Sequence, residues 1–334
     1  MKKKHLFGVF VFMGLFFVVA GYLYHASAAT DDFPKGPVRY IVPYSPGGSA
    51  DTAARILQPF LEKELKVPVL VENRPGAGGE VGATYLHNEP ADGYKFMAHW
   101  MPDVAFIIIR GNPLFKYDDL DPIVVTHYEY VVLLVKKDSP LNSFNDFVEE
   151  AKKNPGKMSL SVTQQAVPHV LAIYLKKHLN IDFKIVPFKG GGDAVTAALG
   201  GHVSGNWGDG IGRLPYREQM KAIAVSTKQP HSAWPEGKPI HDQLKQYGVS
   251  IPEPFNYYYR VLYVRTELKK KYPERYEKLR QALLNVSKDK EYIESEKKLQ
   301  LDLVRMWKPG DEFEKDLKGQ YDFFMKNKDL YKEE

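Results

Sequence analysis

The chain has 334 residues, of which 44% are hydrophobic and 26% are charged, and it contains no cysteine. This composition is typical of a folded chain with one large or two medium domains, so it excludes a mainly disordered protein and a scaffold held by disulfides. The formal net charge of +5 is too small to indicate a nucleic-acid partner.

The first 28 residues predict an export signal. Three lysines at positions 2–4 precede an uncharged, mainly apolar stretch at 6–23, and Ala-Ser-Ala follows at 26–28. Residues in this order are typical of a signal peptide that is cleaved after an A-x-A sequence, so we expect cleavage near residues 28–29 and a periplasmic mature protein. The stretch is also about long enough to span a bilayer. An uncleaved membrane anchor is therefore the alternative.

Two similar units follow the signal, each with a strand, a glycine-rich loop and a helix. The first has a strand at 38–44, the loop PGGSAD at 46–51 and a helix at 52–65, and the second has a strand at 67–72, the loop RPGAGG at 74–79 and a helix from 81. Units of this kind in series predict a parallel sheet with right-handed crossovers.

The rest of the chain predicts a second block of alternating elements. It contains strands at 94–100, 129–140 and 255–265, a helix at 143–157, an α/β block at about 136–255 and a charged helical region at 267–334. The chain is expected to cross between two lobes at about 128–135 and at about 255–262, and two crossings form a hinge. We therefore predict an α/β fold in which each lobe is a mostly parallel sheet flanked by helices. Residues 29–132 and 258–334 form the first lobe, and 133–257 form the second.

Four loops lie where strands end and helices begin. They are PGGSAD (46–51), RPGAGG (74–79), TQQAVPH (163–169) and KGGGDA (189–194). The free N–H groups and the dipole of a helix N-terminus both favour an anion. Because ligands of open α/β sheets bind at the carboxyl ends of the strands, we expect these loops to line one cleft.

Other chemistries of glycine-rich loops require spacings that this sequence lacks. No G-x-x-x-x-G-K-[ST] occurs, and neither glycine run, at 76–78 or at 190–192, continues to G-x-G-x-x-G, because valine occupies the last position. G-x-S-x-G and H-E-x-x-H are absent as well, so nucleotide binding and common hydrolase classes are not favoured. A hydrolase with Ser49 as nucleophile and His169 as base is one alternative. We predict no metal site.

The three segments PGGSAD, ENRPGAGG (72–79) and FKGGG (188–192) occur in this order. Together with the sequence around them, over about 35–225, they resemble the extracytoplasmic solute-binding proteins of tripartite tricarboxylate transporters, the TctC or Bug family. The resemblance implies a two-lobe fold similar to that of type II periplasmic binding proteins. It also implies capture of a small organic carboxylate, delivery to integral membrane permease subunits, a monomeric state, and neither a catalytic reaction nor a cofactor. A sensory protein that presents its ligand to a receptor kinase is the other alternative.

The resemblance further implies ligand-binding residues in both lobes. In the first lobe they are Tyr44, Pro46, Gly47, Gly48, Ser49, Asp51, Ala77, Gly78, His99 and Trp100, and in the second they are Thr163, Gln164, His169, Gly190, Gly191 and Asp209. Some of these residues have a structural alternative: Asp51 as a helix-capping carboxylate, and His169 and Trp100 as packed side chains. The loop at 163–168 departs from the small turn that is usual in the family, so we expect a bulkier second-lobe wall with more amide donors.

Overall fold

The structure is a computed structural model that describes residues 32–111 and 113–330. The predicted signal peptide at 1–28 lies outside these residues. None of the helices within the described ranges is both long enough and apolar enough to cross a bilayer.

Strands and helices alternate along most of the described chain. The strands are β1 (Val38–Val42), β2 (Val69–Asn73), β3 (Lys95–Met101), β4 (Leu120–Glu129), β5 (Val131–Lys136), β6 (Ser159–Thr163), β7 (Lys184–Phe188), β8 (Gly205–Asp209), β9 (Met220–Val225), β10 (Tyr258–Arg265) and β11 (Arg305–Pro309). The α-helices are α1 (Ser49–Leu65), α2 (Glu80–Asn88), α3 (Asp103–Arg110), α4 (Phe144–Lys153), α5 (Val167–Leu179), α6 (Gly191–Leu199), α7 (Ile240–Leu244), α8 (Thr266–Lys271), α9 (Pro273–Val286), α10 (Lys290–Lys298) and α11 (Glu314–Lys326).

The strands form two sheets that are flanked by helices. The first sheet has the order β11-β4-β10-β3-β1-β2, and the second has the order β7-β6-β8-β5-β9. β1 pairs in parallel with β2 and β3, and β6 pairs in parallel with β7 and β8, whereas the other pairs are antiparallel. The predicted two-lobe α/β class is confirmed. Both sheets are mixed rather than mostly parallel, because the strands next to the crossings join them in the opposite direction.

The chain passes between the two sheets at two neighbouring places. β4 ends in the first sheet at Glu129 and β5 begins in the second sheet at Val131, so Tyr130 alone separates them. The chain returns to the first sheet through β10, in which Tyr258 pairs with Glu129. Two adjacent connections between lobes are the geometry that a hinge requires.

Several elements are absent from the sequence prediction, among them α3, β4 and β11, the last of which is a strand in the region predicted as helical at 267–334. α3 follows β3 after one residue, Pro102, and it buries the apolar residues 104–107. β4 precedes the strand predicted at 129–140, and the structure divides that region between two strands in different sheets. The regions of α3 and β4 have long apolar runs, and periodicity in such a run does not distinguish a helix from a strand or one strand from the next.

A buried carboxylate attaches the C-terminal region to the first sheet. Glu296 in α10 accepts hydrogen bonds from Arg305 Nε at 2.6 Å and from Trp307 Nε1 at 3.0 Å, both in β11. His127 Nε2 in β4 lies 3.0 Å from the same carboxylate. Burial alone would raise the pKa of Glu296, but its hydrogen bonds to His127, Trp307 and Arg305 lower the pKa to about 2. The ionised form therefore stabilises the fold.

We expect the substitution Glu296→Ala to lower the free energy of unfolding by about 3–5 kcal/mol, because it leaves the partly buried Arg305 guanidinium and the buried His127 and Trp307 rings without their acceptor. Urea denaturation at pH 7 measures this change. The stabilisation by Glu296 is present above pH 4.5 and is lost as the pH falls towards 2. Glu294→Ala, at an exposed position on the same helix, is the matched control, and an equal effect of both substitutions would contradict the prediction.

Candidate functional site

Four helices begin in the space between the two sheets. α1, α3, α5 and α6 follow Gly48, Pro102, Ala166 and Gly190, and none of these preceding residues caps its helix with a side chain. Each end leaves N–H groups without an acceptor in its own helix and carries the positive end of the helix dipole. The cleft is therefore surrounded by positively polarised groups.

Packing fixes the direction of α1 and α6. α1 buries Ala53, Leu57 and Leu61, which lie on one face at helical spacing. α6 buries Ala194 and Ala198 in the same way. Because both helices are held along their length, their first N–H groups keep defined positions in the cleft.

Asp103 connects two of the four helix ends. It is the first residue of α3, and its Oδ1 accepts a hydrogen bond from the Val167 N–H, at the start of α5, at 3.0 Å. Its Oδ2 accepts a hydrogen bond from the Tyr44 hydroxyl at 2.9 Å. The residue is 1% exposed, and burial raises the pKa of Asp103 to about 7. A carboxyl group of the protein thus joins α3 to α5 across the cleft.

The other two helix ends, those of α1 and α6, face each other. A Cβ atom at Gly48 would lie 3.8 Å from Gly191 N and 3.9 Å from Gly192 N. No carboxylate of the described ranges accepts a hydrogen bond from the first residue of either helix. Two like-polarised ends at this separation repel each other unless an anion lies between them. This pair is therefore the part of the cleft that is best suited to an anion.

The predicted loops meet in pairs across the cleft. A Cβ atom at Gly190 would lie 2.7 Å from Ser45 Cβ, and a Cβ atom at Gly78 would lie 2.7 Å from Gln165 Cβ. The Arg110 guanidinium donates a hydrogen bond to a backbone carbonyl of each loop in the second pair, at 3.0 and 3.4 Å. All four loops therefore lie at one cleft.

The cleft contains a small inner cavity next to a larger pocket. The inner cavity, of about 20 Å³, is lined by Tyr44, Gly48, Ser49, Ala50, Trp100, Asp103, Thr163, Ala166, Pro168, Gly191, Asp209 and Tyr258. It has room for about one water molecule. Ser49 also borders the outer pocket, of about 330 Å³, which residues 211–216 and 298–301 help to form. The two lobes thus lie close together in this structure.

The predicted ligand-binding residues fall into three groups. Those that line the inner cavity are Tyr44, Gly48, Ser49, Trp100, Thr163, Gly191 and Asp209. Those at the edges or in loop contacts are Pro46, Gly47, Ala77, Gly78, Gln164 and Gly190. Those that lie behind the loops are Asp51, His99 and His169.

Asp51 holds the first loop from behind. Its carboxylate accepts hydrogen bonds from the Gly47 N–H at 2.9 Å, from Asn73 Nδ2 at 2.9 Å and from Arg55 Nε at 3.0 Å. These partners tie the loop to α1 and to the end of β2. Asp51 thus supports the loop, and it does not cap a backbone N–H group of α1 as the structural alternative expects.

The two histidines also support loops. His99 lies beneath Gly79, and its Nδ1 accepts a hydrogen bond from the Trp100 N–H at 2.8 Å. Burial lowers the pKa of His99 to about 3, so its ring is neutral near pH 7. His169 Nδ1 accepts a hydrogen bond from the Gln165 N–H at 2.9 Å. Neither ring lines the inner cavity.

The backbone donors of the loop at 163–169 are engaged within the protein. The Gln164 N–H donates to Phe188 O at 2.7 Å, and the Ala166 N–H donates to Thr163 O at 3.3 Å. The Gln165 N–H donates to His169 Nδ1, and the Val167 N–H donates to Asp103 Oδ1. The sequence analysis expects additional amide donors from this loop, but neither Gln164 nor Gln165 lines the inner cavity. Thr163 is the polar residue that the loop contributes to the cavity.

The sequence prediction omits two polar residues of the inner cavity, Asp103 and Tyr258. The Pro102-Asp103 pair at the end of β3 is a usable signal, because proline followed by an acidic residue often marks the start of a helix. Tyr258 lies in the tyrosine-rich stretch FNYYYR at 255–260, but that stretch does not reveal which of its tyrosines faces the cleft.

Two helix-flanked sheets joined by paired crossings, with a cleft between them, define the class of periplasmic binding proteins. A solved structure described as a periplasmic transporter shares this fold with a TM-score of 0.76 and 27% identity, over 88% of this chain and 96% of that chain. Residues 53–306 match the model of TctC, the tripartite tricarboxylate transporter family receptor. The chain belongs to this family of solute-binding proteins.

Two further proteins show the range of similarity. The chain is 32% identical over 231 residues to the UPF0065 protein in the gbd 5' region of Cupriavidus necator, which is 68% of each chain. MatC of Rhodopseudomonas palustris, solved with bound malate, has the same fold with a TM-score of 0.75 and 19% identity, over 90% of this chain and 100% of MatC. The predicted family is confirmed by the family match and by the Cupriavidus necator relative, whereas MatC shows the fold alone.

We expect the substitution Asp103→Asn to change how stability depends on pH. Because the folded protein binds a proton at Asp103 up to about pH 7 and the unfolded chain only up to about pH 4, ionisation of this group destabilises the fold over that window. The free energy of unfolding of the native protein minus that of the variant should fall between pH 4 and pH 7, by at most about 1.4 kcal/mol per pH unit.

Urea denaturation at several pH values between 4 and 8 measures this difference. Asp138→Asn, on an exposed turn, is the control, and its difference from the native protein should not follow the same slope. A difference for Asp103→Asn that is constant with pH would contradict the prediction.

Proposed function

We propose that this protein captures a small organic carboxylate outside the cytoplasm and delivers it to the integral membrane subunits of a tripartite transporter. The ligand lies between a first lobe, residues 29–132 and 258–334, and a second lobe, residues 133–257. The protein acts as a monomer in the periplasm after its signal is cleaved near residues 28–29, and it needs no cofactor. The facing ends of α1 and α6 carry this proposal, because two positively polarised helix ends meet there, with the Arg213 guanidinium behind Gly191.

Asp103 gives an internal example of the interaction that we propose. Its carboxyl group lies at the ends of α3 and α5, one from each lobe, and accepts a hydrogen bond from the Val167 N–H. A ligand carboxylate between Ser49 and Gly191 would occupy the equivalent place at the ends of α1 and α6. The malate-bound structure of MatC supports a small carboxylate as the ligand, since it has the same fold.

Capture requires the lobes to separate and close. The inner cavity of about 20 Å³ is far smaller than the several hundred Å³ of a typical small-molecule site. A carboxylate therefore enters when the lobes are apart, by rotation about the adjacent crossings at Tyr130 and Tyr258. The bound carboxylate then stabilises the closed state, because it contacts both helix ends at once.

The hydrolase alternative has less support in the structure. It requires His169 to act as a base towards Ser49, but His169 Nδ1 accepts a hydrogen bond from the Gln165 N–H. His169 does not line the inner cavity that Ser49 borders. Ser49 and His169 therefore lie at separate positions of the cleft and do not form a nucleophile–base pair in this structure.

Carboxylates should raise the melting temperature of the mature protein. A ligand at 100 times its dissociation constant contributes about 2.7 kcal/mol of stability, which corresponds to about 4 °C for a protein of this size. A thermal-shift panel of mono-, di- and tricarboxylates, nucleotides and sugars measures the effect. If only nucleotides or sugars raise the melting temperature, the proposed ligand class is wrong.

We expect the substitution Gly190→Ala to prevent full closure and to weaken carboxylate binding at least tenfold. The new Cβ atom would lie 2.7 Å from Ser45 Cβ and 3.1 Å from Ser45 N in the opposite lobe. The backbone at Gly190 is extended, with φ −156°, so alanine does not strain the second lobe itself. Isothermal titration with the carboxylate found in the panel measures the affinity, and far-UV circular dichroism verifies the fold.

Gly319→Ala is the control for this substitution. Gly319 is exposed in α11 and does not line the inner cavity, and a Cβ atom there would meet no heavy atom within 4 Å, so closure and binding should be unchanged. Equal affinity of both variants and the native protein would show that contact at Gly190 does not limit closure.

A further inference from the structure

Asp209 is a buried carboxylate with little hydrogen bonding. The residue is 8% exposed, and within the described ranges Arg213 is the one group that donates a hydrogen bond to it, from Nη1 at 3.3 Å. Charge-assisted hydrogen bonds are usually shorter, at about 2.7–2.9 Å. Since an ionised carboxylate has about four acceptor positions, most of the acceptor capacity of Asp209 is unused.

The other buried acids around the cleft have more partners. Asp51 accepts hydrogen bonds from three residues, and Asp103 accepts one from a hydroxyl group and one from an N–H group. Glu129 accepts hydrogen bonds from the Tyr130 N–H at 3.1 Å and from the Ile211 N–H at 3.3 Å. Buried polar groups in proteins are normally satisfied in this way. Among these acids Asp209 has the fewest hydrogen-bond donors, one at 3.3 Å, and it lines the inner cavity.

Arg213 is held in place and does not supply the remaining hydrogen bonds. Its guanidinium lies against Gly191 and Gly208, at positions that a Cβ atom of either residue would occupy. Its Nε donates to Asn206 Oδ1 at 2.7 Å, and it is 1% exposed. Arg213 thus fixes one oxygen of Asp209 from behind, and it does not itself line the inner cavity.

We propose that the ligand carries a hydrogen-bond donor, either a hydroxyl or an ammonium group, in addition to its carboxylate, and that Asp209 accepts this hydrogen bond. Asp209 lines the same cavity as Ser49 and Gly191, the first residues of α1 and α6. Once the lobes lie far enough apart to admit a carboxylate at the two helix ends, the neighbouring part of the ligand lies beside Asp209. This inference rests on the proposed function, and it narrows the ligand to hydroxy acids and amino acids.

A ligand with a hydrogen-bond donor is favoured because a ligand without one binds with a less favourable free energy. A ligand without a donor leaves Asp209 buried with an unmet acceptor and close to a second negative charge. A site built to hydrogen-bond a hydroxyl or amino group rejects the analogue that lacks it, by about ten- to hundredfold for one unmet group. Asp209 is therefore a specificity-determining residue.

Two matched ligand series test the inference on the mature protein. The four-carbon series is succinate, malate and aspartate, and the five-carbon series is glutarate, 2-hydroxyglutarate and glutamate. Isothermal titration should show that a hydroxy or amino member binds at least tenfold tighter than the unsubstituted acid in one series or both. Malate or 2-hydroxyglutarate as the tighter ligand identifies a hydroxyl donor, and aspartate or glutamate identifies an ammonium donor.

The variant Asp209→Ala should reduce this preference to less than about threefold, while Asp182→Ala, at an exposed position of the second lobe, should keep it. If the unsubstituted acids bind as tightly as the substituted ones, or if Asp209→Ala keeps the preference, the inference is wrong and the proposed function stands. If none of the six acids binds but another carboxylate of the thermal-shift panel does, the inference is wrong and the proposed function stands; if no carboxylate binds, both fail. Should Asp209→Ala not fold, as judged by circular dichroism, the titrations on the native protein decide alone.

Discussion

The architecture of this protein depends on how the positive ends of four helices are compensated within one narrow cleft. Asp103 joins the starts of α3 and α5 through a single carboxyl group that reaches from one lobe to the other and accepts a hydrogen bond from the Val167 N–H. The ends of α1 and α6 have only glycines at their N-cap positions. One half of the cleft is thus stabilised by the protein itself, and the other half is suited to an anion from outside.

Much of this arrangement is predictable because it follows from local sequence. Glycine-rich loops that lead into helices with small apolar residues place Gly48, Ser49 and Gly191 at helix ends, and the order of strands brings those ends to one edge of each sheet. The approximate positions of the two crossings are predictable because each lies beside a long apolar run, but the division of the first run into β4 and β5 is not. Seven of the sixteen predicted residues line the inner cavity.

The remaining parts of the site depend on contacts between distant segments. Nothing near Asp103 in the sequence reveals that Val167 donates to it, because the two residues belong to different lobes. Asp51 and His169 are polar residues near helix starts, as is the cavity-lining residue Ser49. Only their hydrogen-bond partners in the structure show that they support loops instead. Arg213 is one charged residue in a short 3-10 helix, and its position beneath Gly191 follows from tertiary packing alone.

The outer pocket beside Ser49 has a consequence for selectivity. This pocket of about 330 Å³ borders the same residue as the inner cavity and is lined largely by apolar residues such as Ile211, Leu214 and Leu301. We expect a ligand that is anchored by its acidic end to extend its chain into this space. Recognition would then be strict for the functional groups at one end of the molecule and tolerant of length at the other, so that homologous acids share one binding protein.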